Sequence, residues 1–293
     1  QAEVLFRQLT HALLVIHGWG PSGTSDEALG NALTALQALL GCPIGGGEDG
    51  GIAQVLYGSS TQTTAGQALS TLLDLASPAM RLSNAHRAAC LRTVRDMCCL
   101  GVRAPDVMGF FMPGVASRLA RLATDDEKVS TPLLIELLLA MRDLLTACMA
   151  DDANAEALAA TSQLEASPLQ WVRALHAQVS GAAAAGSRGA LAATPASEAA
   201  AAGAAPSQAP GPEFSCAVTR SAEWLHESAR RLRPLLSRLC HAAAAGSWRA
   251  RRVLVATARD LLTRCTLSLH DCAAILLEHV YASTRDPYPG VAS

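Results

Sequence analysis

"GSWRARRVLVATARDLLTRC" (Gly246–Cys265) puts five arginines and one aspartate on a run that is otherwise apolar at helical spacing. Val253, Leu254, Thr257, Leu261 and Leu262 fall on one side of a 3.6-residue period, which predicts an amphipathic helix. The stretch before it behaves alike, with Leu225, Ser228, Leu232, Leu235, Leu236 and Leu239 on one face of a helix over about 220–243. Gly246 and Ser247 then turn the chain, so the two runs form a helix A and a helix B. A further helix A is expected over 268–283, and "RDPYPGV" (285–291) opens its helix B. Asp286 can cap that helix, Pro289 suits its first turn and Val291 starts its apolar stripe. A helix A without its partner leaves an apolar face uncovered, so the chain is expected to continue past Ser293.

Similar stripes recur over about 4–17, 25–40, 64–76, 84–100, 107–123, 131–149 and 164–179, separated by short breakers such as Ser77-Pro78. Strand-like alternation is nearly absent, and aromatic residues make up only 4% of the chain. The expected fold is therefore all-α, an α-solenoid of HEAT-like antiparallel helix pairs over 1–180 and 213–293, with a loop at 42–62. Between the two parts, residues 181–212 hold 24 Ala, Gly or Pro among 32 positions. So little large apolar surface cannot offset the entropy of ordering, and the segment is expected to be a flexible insertion.

Helix pairs invite a repeat test. "NAHRAACLRTVRDM" (84–97) aligns with "WRARRVLVATARDL" (248–261) at an offset of 164, pairing Arg87 with Arg251, Thr93 with Thr257, Arg95 with Arg259 and Asp96 with Asp260. That offset equals four steps of 41, inside the range of HEAT and armadillo units, but the insertion lies between the two segments, so the match of pattern counts for more than the step number.

The turn followed by W-x-x-R, or by D-x-x-P-x-V, is similar to the HEAT repeat. "EWLHESARRLRPLLSRLC" (223–240), the segment from Ser247 to Val291 and "FMPGVASRLARLATDDEKVSTPLLIELLLAMRDLL" (111–145) together resemble the Tel-two-interacting protein one family. The resemblance is good over 105–150 and 213–293, weak over 1–104 and absent in the Ala-rich insertion. It departs at Ala250-Arg251, where the family pattern has Val-Arg, and at Ala292, where it has an arginine. It implies a HEAT scaffold that forms the Triple-T complex with two helical-repeat partners. With Hsp90 co-chaperones, that complex matures the phosphatidylinositol-3-kinase-related kinases, and the resemblance implies a cytoplasmic location with the nucleus as a second one. A generic HEAT adaptor for transport or nucleic-acid machinery is the alternative.

From the residues themselves, Arg87 and Arg251 are expected to tie neighbouring repeats by pairing with a carboxylate or carbonyl, and Trp248 to plug the gap between helices A and B. Arg249, Arg252, Arg259 and Arg264 cannot all be buried by one helix, which leaves a solvated face or a docking surface for an acidic partner. Between Arg220 and Arg264 there are ten arginines against Glu223, Glu227 and Asp260, although the whole chain carries a net charge of −2. Nucleic acid would ask for interleaved aromatics or a Gly-rich phosphate cradle, and the helix has neither.

"HGWG" (17–20) is similar to the oxyanion loop of α/β-hydrolases, but no G-x-S-x-G elbow follows and no catalytic residue is assigned. "GGGEDGG" (45–51) lacks a following Lys-Ser or Lys-Thr and reads as a loop, and "TDDEK" (124–128) as a turn between helices. The nine cysteines include no C-x-x-C, which points to buried free thiols in a reducing compartment. The histidines show no H-x-x-x-H or H-E-x-x-H, so no metal site and no cofactor are expected. The most apolar run, "LLIELLLAMRDLL" (133–145), is broken by Glu136 and Arg142, which argues against a membrane span.

Overall fold

The computed structural model describes residues 1–23, 25–42, 51–124, 129–162 and 216–292. Thirteen helices occur among them, and no strand. They are α1 (Ala2–Gly18), α2 (Gly20–Gly23), α3 (Asp26–Leu40), α4 (Gly51–Tyr57), α5 (Gln62–Leu75), α6 (Asn84–Leu100) and α7 (Pro105–Leu122), then α8 (Thr131–Met149), α9 (Ala155–Ser162), α10 (Ala222–Ala244), α11 (Trp248–Arg264), α12 (His270–Ser283) and α13 (Pro289–Ala292). The stripe at 164–179, the insertion at 181–212 and most of 124–128 lie outside the described residues.

Helix starts follow local chemistry. Ser25, Ser83 and Ser221 each accept a hydrogen bond from a backbone N–H in the first turn of α3, α6 and α10, at Ala28, His86 and Trp224. Proline opens α7 at Pro105, where its missing N–H costs nothing.

The helices stack in two layers. α1, α5, α7, α10 and α12 form one row, the A layer, each packed on the next. α3, α6, α8, α11 and α13 form the B layer, and α1/α3, α5/α6, α7/α8 and α10/α11 are the A/B pairs. Steps from Gln62 to Pro105 and from Asn84 to Thr131 match the roughly 40–47 residues of HEAT and armadillo units. Position in the stack explains composition: α8, packed between α6 and α11 and over α7, buries Leu133, Leu137, Met141, Leu145 and Cys148 among others and is apolar nearly all round. α10 keeps a one-sided stripe of Leu225, Ala229, Leu232, Leu236 and Leu239.

Two expectations need correction. The loop at 42–62 contains α4, whose Ile52, Leu56 and Tyr57 are buried and whose Tyr57 hydroxyl donates to the Met97 carbonyl at 2.7 Å. The offset of 164 is not four repeats but two: along the B layer α6 meets α8, and α8 meets α11. Chain between Ser162 and Cys216 supplies the remaining length, so the even multiple was accidental.

Across that seam, pair three stacks directly on pair four, α7 on α10 and α8 on α11. Polar bonds lock it. The Asp151 carboxylate accepts from the backbone N–H groups of Leu267 and Ser268, each at 2.9 Å, and the Asp151 N–H donates to the Arg264 carbonyl. Arg220 donates to Asp106, the Ala153 carbonyl and Asn154, while the Cys216 N–H donates to Gln62. Glycine at 109 permits the approach, because a Cβ there would stand 2.8 Å from Val218 and 3.3 Å from Trp224. Among the described residues no helix is long and apolar enough to cross a membrane.

Candidate functional site

The B-layer surface carries a ladder of charges that runs across three helices. Arg95 on α6 reaches Glu136 on α8 at 3.1 Å and Asp143 at 3.9 Å, and Arg92 approaches Glu136 at 3.7 Å. Arg142 holds Asp143 at 2.7 Å and extends to Asp260 on α11 at 3.4 Å. Helical spacing does this: Arg92, Arg95 and Asp96 share one side of α6, and Glu136 and Asp143 face them two turns apart on α8.

Partial burial alters these groups. Desolvation pushes the Glu136 and Asp96 carboxyls above the usual range, against the pull of Arg95 and Arg92. Bonding to Asp143 raises the Arg142 guanidinium further. Cys99 donates to Asp143 at 3.3 Å, and burial together with that carboxylate pushes its thiol up to about 12. Burial also pushes Cys90, Cys240, Cys265 and Cys272 up to about 12, so these thiols stay protonated at neutral pH. All nine cysteines are unpaired.

Beyond Asp260 the ladder ends in arginine. Arg249, Arg252, Arg259 and Arg264 are all exposed on α11, and among the described residues none of the four forms an ion pair. Arg249 lies over the Trp248 ring at 5.5 Å. They span the outward side of the helix, opposite the buried Ala250, Leu254, Ala258 and Leu261. A surface of this kind can dock a carboxylate-rich protein segment; it offers no nucleophile with an adjacent base.

The residues singled out from the repeat motif are placed as follows. Arg251 donates through Nε and Nη2 to the two Asp286 oxygens at 2.6 and 3.1 Å and through Nη1 to the Gly246 carbonyl, joining pair four to the turn before α13. Arg87 donates through Nε to the Ala76 carbonyl at 2.8 Å, at the end of α5, and so fastens the two helices of its own pair. Trp248 is half-buried and does not plug the space between α10 and α11; it stacks on Tyr288 with centroids 5.5 Å apart and planes at 12°. Asp286 accepts from the Tyr288 N–H in a turn ahead of α13, Pro289 opens that helix and Val291 is buried. His17 to Gly20 of "HGWG" sit where α1 ends and α2 begins, with no strand before them.

Sequence reasoning missed an apolar cleft of about 530 Å³ between α7 and α10. Met112, Pro113, Trp224 and Leu235 line it together with Glu223, Glu227 and Arg231. Pro113 and Pro234 lie inside these two helices, where each removes a ladder hydrogen bond, and this was the signal available.

The family model described as the TTI1 N-terminal TPR domain matches residues 5–287. No curated protein and no solved structure matches the chain.

Proposed function

Because the chain belongs to the TTI1 family and is a helical-repeat scaffold of that kind, we propose that it serves the Triple-T complex, bringing phosphatidylinositol-3-kinase-related kinases to the Hsp90 system. The observation that carries this reading is the match over 5–287, which takes in every helix from α3 to α12. The scaffold works without catalysis, by offering one extended surface on which several large chains are held at once. Its B-layer arginines on α11 take an acidic partner segment, and the complex acts in the cytoplasm with a nuclear pool.

Affinity capture of the parent protein from its own cells tests the proposal. Two helical-repeat partners recovered with giant kinases or Hsp90 cofactors are expected. A reproducible set of transport receptors or DNA-bound complexes instead would overturn the kinase role and favour a general adaptor.

A further inference from the structure

On the A layer, away from the arginine surface, α10 and α12 bring together three metal-ligating side chains that sequence spacing kept apart. His226 projects from α10, and His270 and Asp271 from the first turn of α12. One ligand atom from each lies within 4.8 Å of the others. His226 Nδ1 stands 3.8 Å from Asp271 Oδ2, and His270 Nε2 stands 3.4 Å from Asp271 Oδ1. In a tetrahedral zinc site with Zn–N of about 2.0 Å, neighbouring ligand atoms are roughly 3.3 Å apart, so both distances are close to closure. The two imidazoles are already near-parallel, 5.8 Å apart at 15°.

The orientation of His270 supports the same assignment. Its Nδ1 is 3.1 Å from the Leu267 carbonyl, and a carbonyl only accepts, so Nδ1 carries a proton and the neutral ring has its lone pair on Nε2. A histidine that ligates a metal is held in this way, with its other ring nitrogen donating to a carbonyl or carboxylate. His226 has an exposed side chain and can swing the remaining distance. The nearby positive charge of Arg230 is tied down by both Glu227 oxygens, at 2.9 and 3.1 Å.

We propose that His226, His270 and Asp271 bind one divalent transition-metal ion, zinc by the imidazole and carboxylate donor set, with its remaining position open to solvent. The ion bridges α10 and α12, neighbours in the A layer, and clamps them against each other.

Titration of the 293-residue chain with Co2+, followed by displacement with Zn2+, tests the site. One Co2+ per chain is expected, with visible d–d bands but no thiolate charge-transfer band, and zinc should raise the melting temperature. H226A and H270A should each weaken binding by at least about tenfold, since even outer partners of a ligand cost 10–100-fold. His226 is exposed, so H226A keeps the fold, and circular dichroism checks it. Absence of saturable binding, a thiolate band, or affinity unchanged in both variants would overturn the proposal.

Discussion

α6 and α11 align over fourteen positions, four of them identical, yet their surroundings separate them. Arg87 is 5% exposed and donates to a carbonyl of its own pair, whereas the Arg251 side chain is a quarter exposed and reaches a carboxylate in the turn before α13. Thr93 receives a hydrogen bond from Gln37 on α3, but the buried Thr257 hydroxyl has no hydrogen-bond partner among the described residues. Arg95 bridges two carboxylates of α8, while Arg259 is exposed. The repeat pattern sets where a side chain stands along its helix. What it does there is decided by the neighbouring helix, which the pattern does not encode.

The sharpest way to break this contrast is to shorten matched core residues. Leu91 of α6 is fully buried and Val255 of α11 is half-buried. L91A should cost about 3–5 kcal/mol and V255A about 1 kcal/mol in urea unfolding. Equal losses would show that α11 is as enclosed as α6. Next, R87A should lose about 2–3 kcal/mol, because it strands the Ala76 carbonyl and removes a charged donor. R251A should cost less, and its effect should shrink as salt is added. At the threonines, T93V should cost about 1 kcal/mol and T257V nothing, or stabilise, since it removes an orphan hydroxyl.

Acid should act on the two seams in opposite directions. Bonding to Arg251 and to the Tyr288 N–H holds the Asp286 carboxyl below its ordinary value, so its contribution is present above about pH 3.9 and is lost as pH falls through the lowered value. Burial raises Glu136, whose contribution is therefore full below about pH 4.3 and fades as pH rises through the raised value. Urea midpoints of E136Q measured from pH 4 to 7 should be flatter than those of the parent. An unchanged slope would place the titration elsewhere.

Much of this was legible because helical period and burial coincide. The Leu225-to-Leu239 stripe and the Leu254, Thr257, Leu261 face are the sides that pack. α4 was not, since a seven-residue helix after a glycine cluster has too few turns to show a period. Nor was the step count between α6 and α11, because spatial adjacency across 163–215 leaves no trace in a periodic pattern. Trp248 was misplaced because a tryptophan next to a turn can serve its own pair or the following one, and only the position of Tyr288 decides. His226 and His270 belong to helices that meet only in the folded stack, so no local motif announces them.

Asp151 gives the joint between pairs three and four an asymmetric memory. Its carboxylate grips the main chain at Leu267 and Ser268, and its own N–H grips the main chain at Arg264. Main-chain groups are the same whatever residue other than proline carries them. The exposed positions 264 and 267 can thus drift freely without loosening the joint, while position 151 alone holds the instruction for where α8 ends against α11. Few substitutes offer a short side chain with two acceptor oxygens. The exposed part of the joint can be rewritten by mutation at little cost, and Asp151 hardly at all.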